Sequence, residues 1–169
     1  PSIVVGHFPL PSVGGIVAEA IVKRSRSEDA DVVLDEVSGV YRAVEQRPVE
    51  RDCVRRTDCC RFQLTGMVPY LTRGEAMVAA RAVRRMGRTK LPPRDDGACP
   101  LLDARGKCLI YEGRPFGCRT HFCAAAGGPY ARSAVLDLIR RLEEIDQRLG
   151  GDGARPLPGA VAWALRNLE

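Results

Sequence analysis

Between Lys107 and Cys123 the chain reads KCLIYEGRPFGCRTHFC, three cysteines and one histidine around a Tyr-Glu-Gly-Arg-Pro turn. Four more cysteines lie upstream, in RDCVRRTDCCRF and GACP. The full set is Cys53, Cys59, Cys60, Cys99, Cys108, Cys118 and Cys123. Seven is odd, so they cannot all pair as disulfides within one chain, and a reducing compartment disfavours pairing anyway. A buried thiol packs well as a small hydrophobe, which accounts for one or two such residues. It does not account for seven, most of them beside Arg, Asp or Lys in loop-like surroundings. Any fold this chain adopts has to place these sulfurs usefully.

Thiolates suit zinc, copper(I) and iron–sulfur clusters and disfavour magnesium or calcium. With His121 the chain offers eight soft or borderline donors. That number serves two four-ligand sites, or one four-cysteine cluster with thiols left over. His121 lies three positions after Cys118 and two before Cys123. A tight turn would aim it at the same centre; a supporting role or a surface position stays open. His7, in an apolar N-terminal segment, reads as packing or capping.

Apolar periodicity supplies the frame. Val33, Leu34, Val37, Val40, Tyr41 and Val44 recur at helical spacing, which predicts an amphipathic helix from about Asp31 to Glu45, ended by Pro48. RFQLTGMVPYLT alternates weakly and reads as extended. Thr72 with Glu75 has the spacing of a capping box and opens a helix to about Met86, stopped by Gly87. KLPPRDDG is a linker loop. CPLLDARGKCLIY reads as a hairpin that brings Cys99 and Cys108 together. AAAGGPY is a turn, and a long helix follows from about Ser133 to Leu149 with Leu138, Leu142, Ile145 and Leu149 on one stripe. GDGARPLPG is a loop before a last helix around Ala160 to Asn167.

The chain's 169 residues suffice for one domain with a core. The expected organisation is a single domain over 1–169. It has an N-terminal arm over 1–26 with a short helix near Ile16 to Lys23, a cysteine-bearing region over 50–125 and C-terminal helices over 131–169. The predicted fold class is mainly α with a small β-hairpin, its irregular cysteine-rich loops organised around a metal centre. Those loops have little hydrophobic content of their own, so bound metal is expected to supply much of their folding energy.

No run approaches the roughly 18 apolar residues of a membrane span. The opening PSIVVGHFPLPSVGGIVAEAIV lacks a basic n-region and is broken by prolines and a glycine pair, so it is not read as a signal peptide. A cytoplasmic address is expected. The net charge is +5. Lysine occurs only at Lys23, Lys90 and Lys107, the other basic residues being arginine. The basic run RAVRRMGRTKLPPR, from Arg81 to Arg94, reads as a solvated helix face leading into a loop. A nucleic-acid partner is only weakly supported, since no groove-reading or base-stacking motif accompanies it.

With these residues placed, the pattern resembles the YkgJ-type cysteine-cluster family of zinc- or iron-chelating proteins. The resemblance rests on Cys59-Cys60, Leu71-Thr72 with Glu75, CPLL at Cys99, and CLIYEGRPFGCR from Cys108 to Arg119, and spans roughly residues 50 to 125. Where the family pattern has its second cysteine this chain has Arg56, while Cys53 keeps the expected distance to Cys59-Cys60. The resemblance implies that the cysteines bind metal and leaves zinc and iron both open. Arg114 and Arg119 are candidates to donate hydrogen bonds to cluster sulfur or to neutralise its charge. Pro115 would fix the turn that brings Cys118 back toward Cys108, with Tyr111 packed beneath.

The leading functional expectation is a cluster-bearing redox or accessory protein, its cofactor an iron–sulfur cluster such as [4Fe–4S] and its partner another protein. The alternative is a zinc-stabilised interaction module without redox chemistry. No nucleophile with a histidine base and no phosphate-binding loop is legible, so whether the chain is an enzyme is left open.

Overall fold

The computed structural model describes residues 30–48, 51 and 56–168. The expected N-terminal arm with its helix near Ile16 to Lys23, His7 and Cys53 lie outside the described residues. Almost all the rest falls within one compact unit, Val33–Glu169.

The helical frame follows the apolar stripes. Helix α1 covers residues 30–45 and buries Leu34, Val37, Val40, Tyr41 and Val44. Helix α2 is a single turn, Phe62–Thr65. Helix α3, Arg73–Arg85, starts at the expected capping box: the backbone N–H and the hydroxyl of Thr72 donate to Glu75 Oε2 at 3.1 and 3.0 Å. Helix α4, Phe116–Thr120, carries Cys118. A 3₁₀ turn over Arg132–Val135 leads into α5, Leu136–Arg148, whose buried stripe is Leu138, Leu142 and Ile145. Helix α6, Leu157–Asn167, starts three residues before the expected Ala160, with Pro158 in its first turn, where a missing N–H costs nothing.

Two apolar clusters meet at α3. On one side Ala76, Ala79, Ala80 and Val83 pack with Ala160, Val161 and Ala164 of α6, together with Ala98, Cys99, Leu101, Leu102 and Ile110. The small side chains let the two helices approach closely. On the other side Val37, Val40 and Tyr41 of α1 pack with Leu138, Leu142 and Ile145 of α5 and with Phe116. Gly74 marks where α1, α3 and α5 come closest, since a Cβ there would stand 3.0 Å from Val37 Cγ2 and 3.2 Å from Ile145 Cγ2. Asp146, 2% exposed, ties the end of α5 to the start of α3. Its carboxylate accepts from the backbone N–H of Arg73 at 2.6 Å and of Gly153 at 3.0 Å.

The β structure is small and sits elsewhere than the sequence suggests. Strands β1, Tyr70–Leu71, and β2, Arg155–Pro156, pair antiparallel with Tyr70 opposite Pro156 and Leu71 opposite Arg155. The expected hairpin over 99–111 reduces to one antiparallel bridge, Leu102 to Cys108. Asp103 accounts for this. Its Oδ1 accepts from the backbone of Arg105 at 2.9 Å and Lys107 at 2.7 Å, closing a tight turn, and the chain then enters a 3₁₀ turn at Tyr111–Gly113. The segment from Phe62 is helical rather than extended at its start. A strand would have set Phe62 and Leu64 on one face. The turn instead leaves Leu64 74% exposed while Phe62 packs against the core, and Gly66 closes it at φ 65. The loop read over GDGARPLPG contains β2, and the turn after Cys123 is a 3₁₀ turn, Ala124–Ala126.

No helix among the described residues is long and apolar enough to cross a membrane. In the basic run, residues 84–90 are exposed. Arg84 donates to the carbonyl of Leu165 at 2.9 Å and Arg94 to Asp96 at 2.9 Å.

Candidate functional site

Five of the cysteines reach one place by four routes. Cys59 and Cys60 stand on a 3₁₀ turn, Asp58–Cys60. Cys99 follows the 91–98 loop and is tied to that turn by its backbone N–H, which donates to the carbonyl of Cys60 at 2.7 Å. Cys108 is delivered by the Leu102–Cys108 bridge, braced by Leu109 N–H donating to Leu101 at 2.8 Å. Cys118 projects from α4, whose first turn is set by Pro115 at φ −61. These five line a single cavity of about 330 Å³, with His121 at the C-cap of α4 and Arg114. The opposite wall is apolar and includes Phe62, Met67, Val68, Pro69, Phe122 and Leu157.

The remaining candidates fall elsewhere. Cys123 is half-buried outside the cavity lining and begins the 3₁₀ turn Ala124–Ala126, its carbonyl accepting from Ala126 and Gly128. Arg56 is exposed and pairs with Asp58 at 3.4 Å. Arg119 is not among the residues that line this cavity. It is 7% exposed and lies over the Tyr41 ring at 4.4 Å. Its guanidinium donates to the carbonyl of Arg114 at 2.9 Å, to the carbonyl of Glu112 and to Glu45. It therefore holds the 111–115 turn from behind. Burial depresses its basicity, with Glu45 acting in the opposite sense.

The electrostatics of the cavity follow from crowding. Cys59 is lowered to about 7, because the Cys60 thiol hydrogen-bonds to it and the Arg114 charge adds to the effect. Cys60 is pushed up by that same bond and by burial. Burial raises Cys99 to about 11, with the neighbouring Cys108 and Cys59 adding to the rise. Cys108 is raised by burial and opposed by Arg114. Cys118 is raised by burial and then by Cys99, Cys108 and Cys59. Five thiols facing one another resist joint ionisation, and a cation among them reverses that logic, since a metal ion holds coordinating thiols deprotonated. As they stand, no three His, Cys, Asp or Glu side chains among the described residues are set to hold a metal ion.

Two residues of this neighbourhood were not singled out for these roles in the sequence. Glu75, known there only as a capping residue, is 3% exposed and accepts from the backbone N–H of Phe116 at 2.8 Å and from the Tyr41 hydroxyl at 3.5 Å. It fixes the start of the helix that bears Cys118. Gly113 lets the turn before Arg114 lie against α3, where a Cβ would stand 2.9 Å from that of Ala82.

No family model matches this chain, and neither a curated protein nor a solved structure matches it.

Proposed function

We propose that this protein is a metal-binding cysteine-cluster protein that holds an iron–sulfur centre and serves a redox or accessory role with a protein partner. The observation that carries the reading is that Cys59, Cys60, Cys99, Cys108 and Cys118, far apart in sequence, line one cavity. The donor set fits the group. Thiolates are the protein ligands of such clusters, and four suffice for a [2Fe–2S] or [4Fe–4S] centre. The cavity, about 330 Å³ over all its lining residues, has room for a polynuclear centre as well as for a lone zinc ion, and its five thiols exceed the four ligands that a zinc ion takes. The resemblance to the YkgJ-type family supports metal binding and leaves zinc and iron both open. When bound, the cluster supplies one-electron chemistry at a potential set by its surroundings. The chain supplies the thiols, an apolar wall that limits water, and the Arg114 charge.

The test is anaerobic purification, reconstitution with iron and sulfide, and assay of iron, sulfide and zinc per chain. The expected product is brown, carries iron and sulfide together and bleaches on reduction. Colourless protein with one zinc per chain would favour the zinc-stabilised interaction module, and protein that holds neither metal would sink the metal reading.

A further inference from the structure

Arg114 carries the one buried side-chain nitrogen or oxygen, among the described residues, that has no hydrogen-bond partner: its Nε. Native structures rarely leave a buried donor unpaired, so the missing acceptor calls for an explanation. Geometry narrows it. The Arg114 side chain lines the thiol cavity, and its guanidinium stacks on the Tyr111 ring at 4.1 Å from the centroid. From behind, Arg119 holds the carbonyls of Glu112 and Arg114. The planar group is thus fixed by ring and backbone on its own side of the turn.

A neutral thiol is a weak acceptor, whereas a metal-bound thiolate or sulfide accepts hydrogen bonds that tune the centre. We infer that Arg114 is a positioning residue whose Nε–H donates to a sulfur of the centre in this cavity. The inference rests on the metal reading proposed above and adds what that reading leaves out, namely which residue sets the centre's potential and its hold on metal. Arg119, the other arginine of the same motif, acts on the turn and not on the sulfur.

The experiment compares the parent protein with Arg114→Gln, which loses charge and donor, and Arg114→Lys, which keeps the charge without the Nε–H. Metal and sulfide are assayed on every sample, the midpoint potential is measured on the loaded fraction, and metal release is followed with a chelator in excess. In Arg114→Gln the oxidised-to-reduced ratio at a fixed potential should rise at least tenfold, about 59 mV for a one-electron centre. Metal release should quicken at least tenfold, and this second readout applies equally if the bound metal is zinc. Arg114→Lys should fall between the two. A merely structural arginine would lower occupancy without moving the midpoint or release rate of the molecules that stay loaded. Loaded Arg114→Gln protein with parental midpoint and release overturns the role of Arg114 alone, as does Arg114→Lys with fully parental values. Parent protein that binds neither iron nor zinc overturns the centre and Arg114's role together.

Discussion

Replacing Glu75 by glutamine keeps the shape of the side chain and changes one oxygen into an amide that can only donate. In the parent, Oε2 takes both bonds from Thr72 and Oε1 takes the Phe116 N–H at 2.8 Å. Glutamine can serve one of these sides. If its oxygen stays with Thr72, the buried Phe116 N–H faces an amide N–H and is orphaned, which costs about 1–3 kcal/mol. The bonds that survive go to a neutral acceptor and weaken. Removing a fully buried charge offsets part of this, so the net loss should be about 2 kcal/mol at neutral pH. Urea unfolding followed by far-UV circular dichroism measures it directly.

The pH dependence gives the same residue a second signature. Burial raises the Glu75 carboxyl above its ordinary 4.5, against the bonds from Thr72, Phe116 and Tyr41. The folded protein therefore holds this proton more tightly than the unfolded chain. The group's contribution is fully present below 4.5 and is lost as pH rises through the raised value. Glutamine cannot titrate, so the stability gap between parent and variant should narrow as pH climbs from 4.5 through that window. A gap under about 0.5 kcal/mol, the usual range for surface substitutions, at every pH would refute the view that Glu75 joins α1, α3 and α4.

Cys108→Ser and Cys118→Ser should each lower the metal bound per chain severalfold, because a hydroxyl replaces thiolate poorly at a soft centre, whereas Cys123→Ser should leave it near parental. Gly113→Ala should destabilise by about 1–3 kcal/mol, read by thermal or urea unfolding, because its Cβ meets that of Ala82 with no flexible group to yield. Stripping metal with a chelator should increase proteolysis around Asp58–Cys60 and leave the 98–118 segment comparably protected.

What could be read from the sequence was whatever repeats or sits in a fixed local spacing. The stripe from Leu34 to Val44 and the Thr72–Glu75 box placed α1 and α3 to within a residue or so, since both signals are local and strong. The one-turn helix Phe62–Thr65, capped by Gly66, was not legible, because so short a helix has no periodicity. Strand β2 could not be seen: two residues, one of them Pro156, acquire strand character only from pairing with Tyr70–Leu71. Among the site residues, Cys59, Cys60, Cys99, Cys108 and Cys118 line one cavity, although no three of the described side chains are set to share a metal ion. The separate fates of Arg114 and Arg119 were not legible. They are five positions apart on either side of Pro115, and only the turn onto Tyr111 and Tyr41 sends one to the thiols and the other behind them.

That turn also changes how metal and folding are coupled. Loops with little apolar content would depend on ligands to stay in place, yet Ala98, Cys99, Leu101, Leu102 and Ile110 are all buried in the α3–α6 core. Each thiol has its own anchor besides: Cys99 bonds to Cys60, Leu109 to Leu101, and the start of α4 to Glu75. Burying these five apolar side chains contributes on the order of 1.5–3 kcal/mol for each large one, independent of any ion. The exception is the Asp58–Cys60 turn, which has no buried residue and, among the described residues, is tied to the rest by the Cys99 backbone bond and by Cys60 packing at the edge of the core. Cys59 and Cys60 are therefore the thiols whose placement depends most on what fills the cavity. Cys99, Cys108 and Cys118 form the part of the site that the core already holds in position.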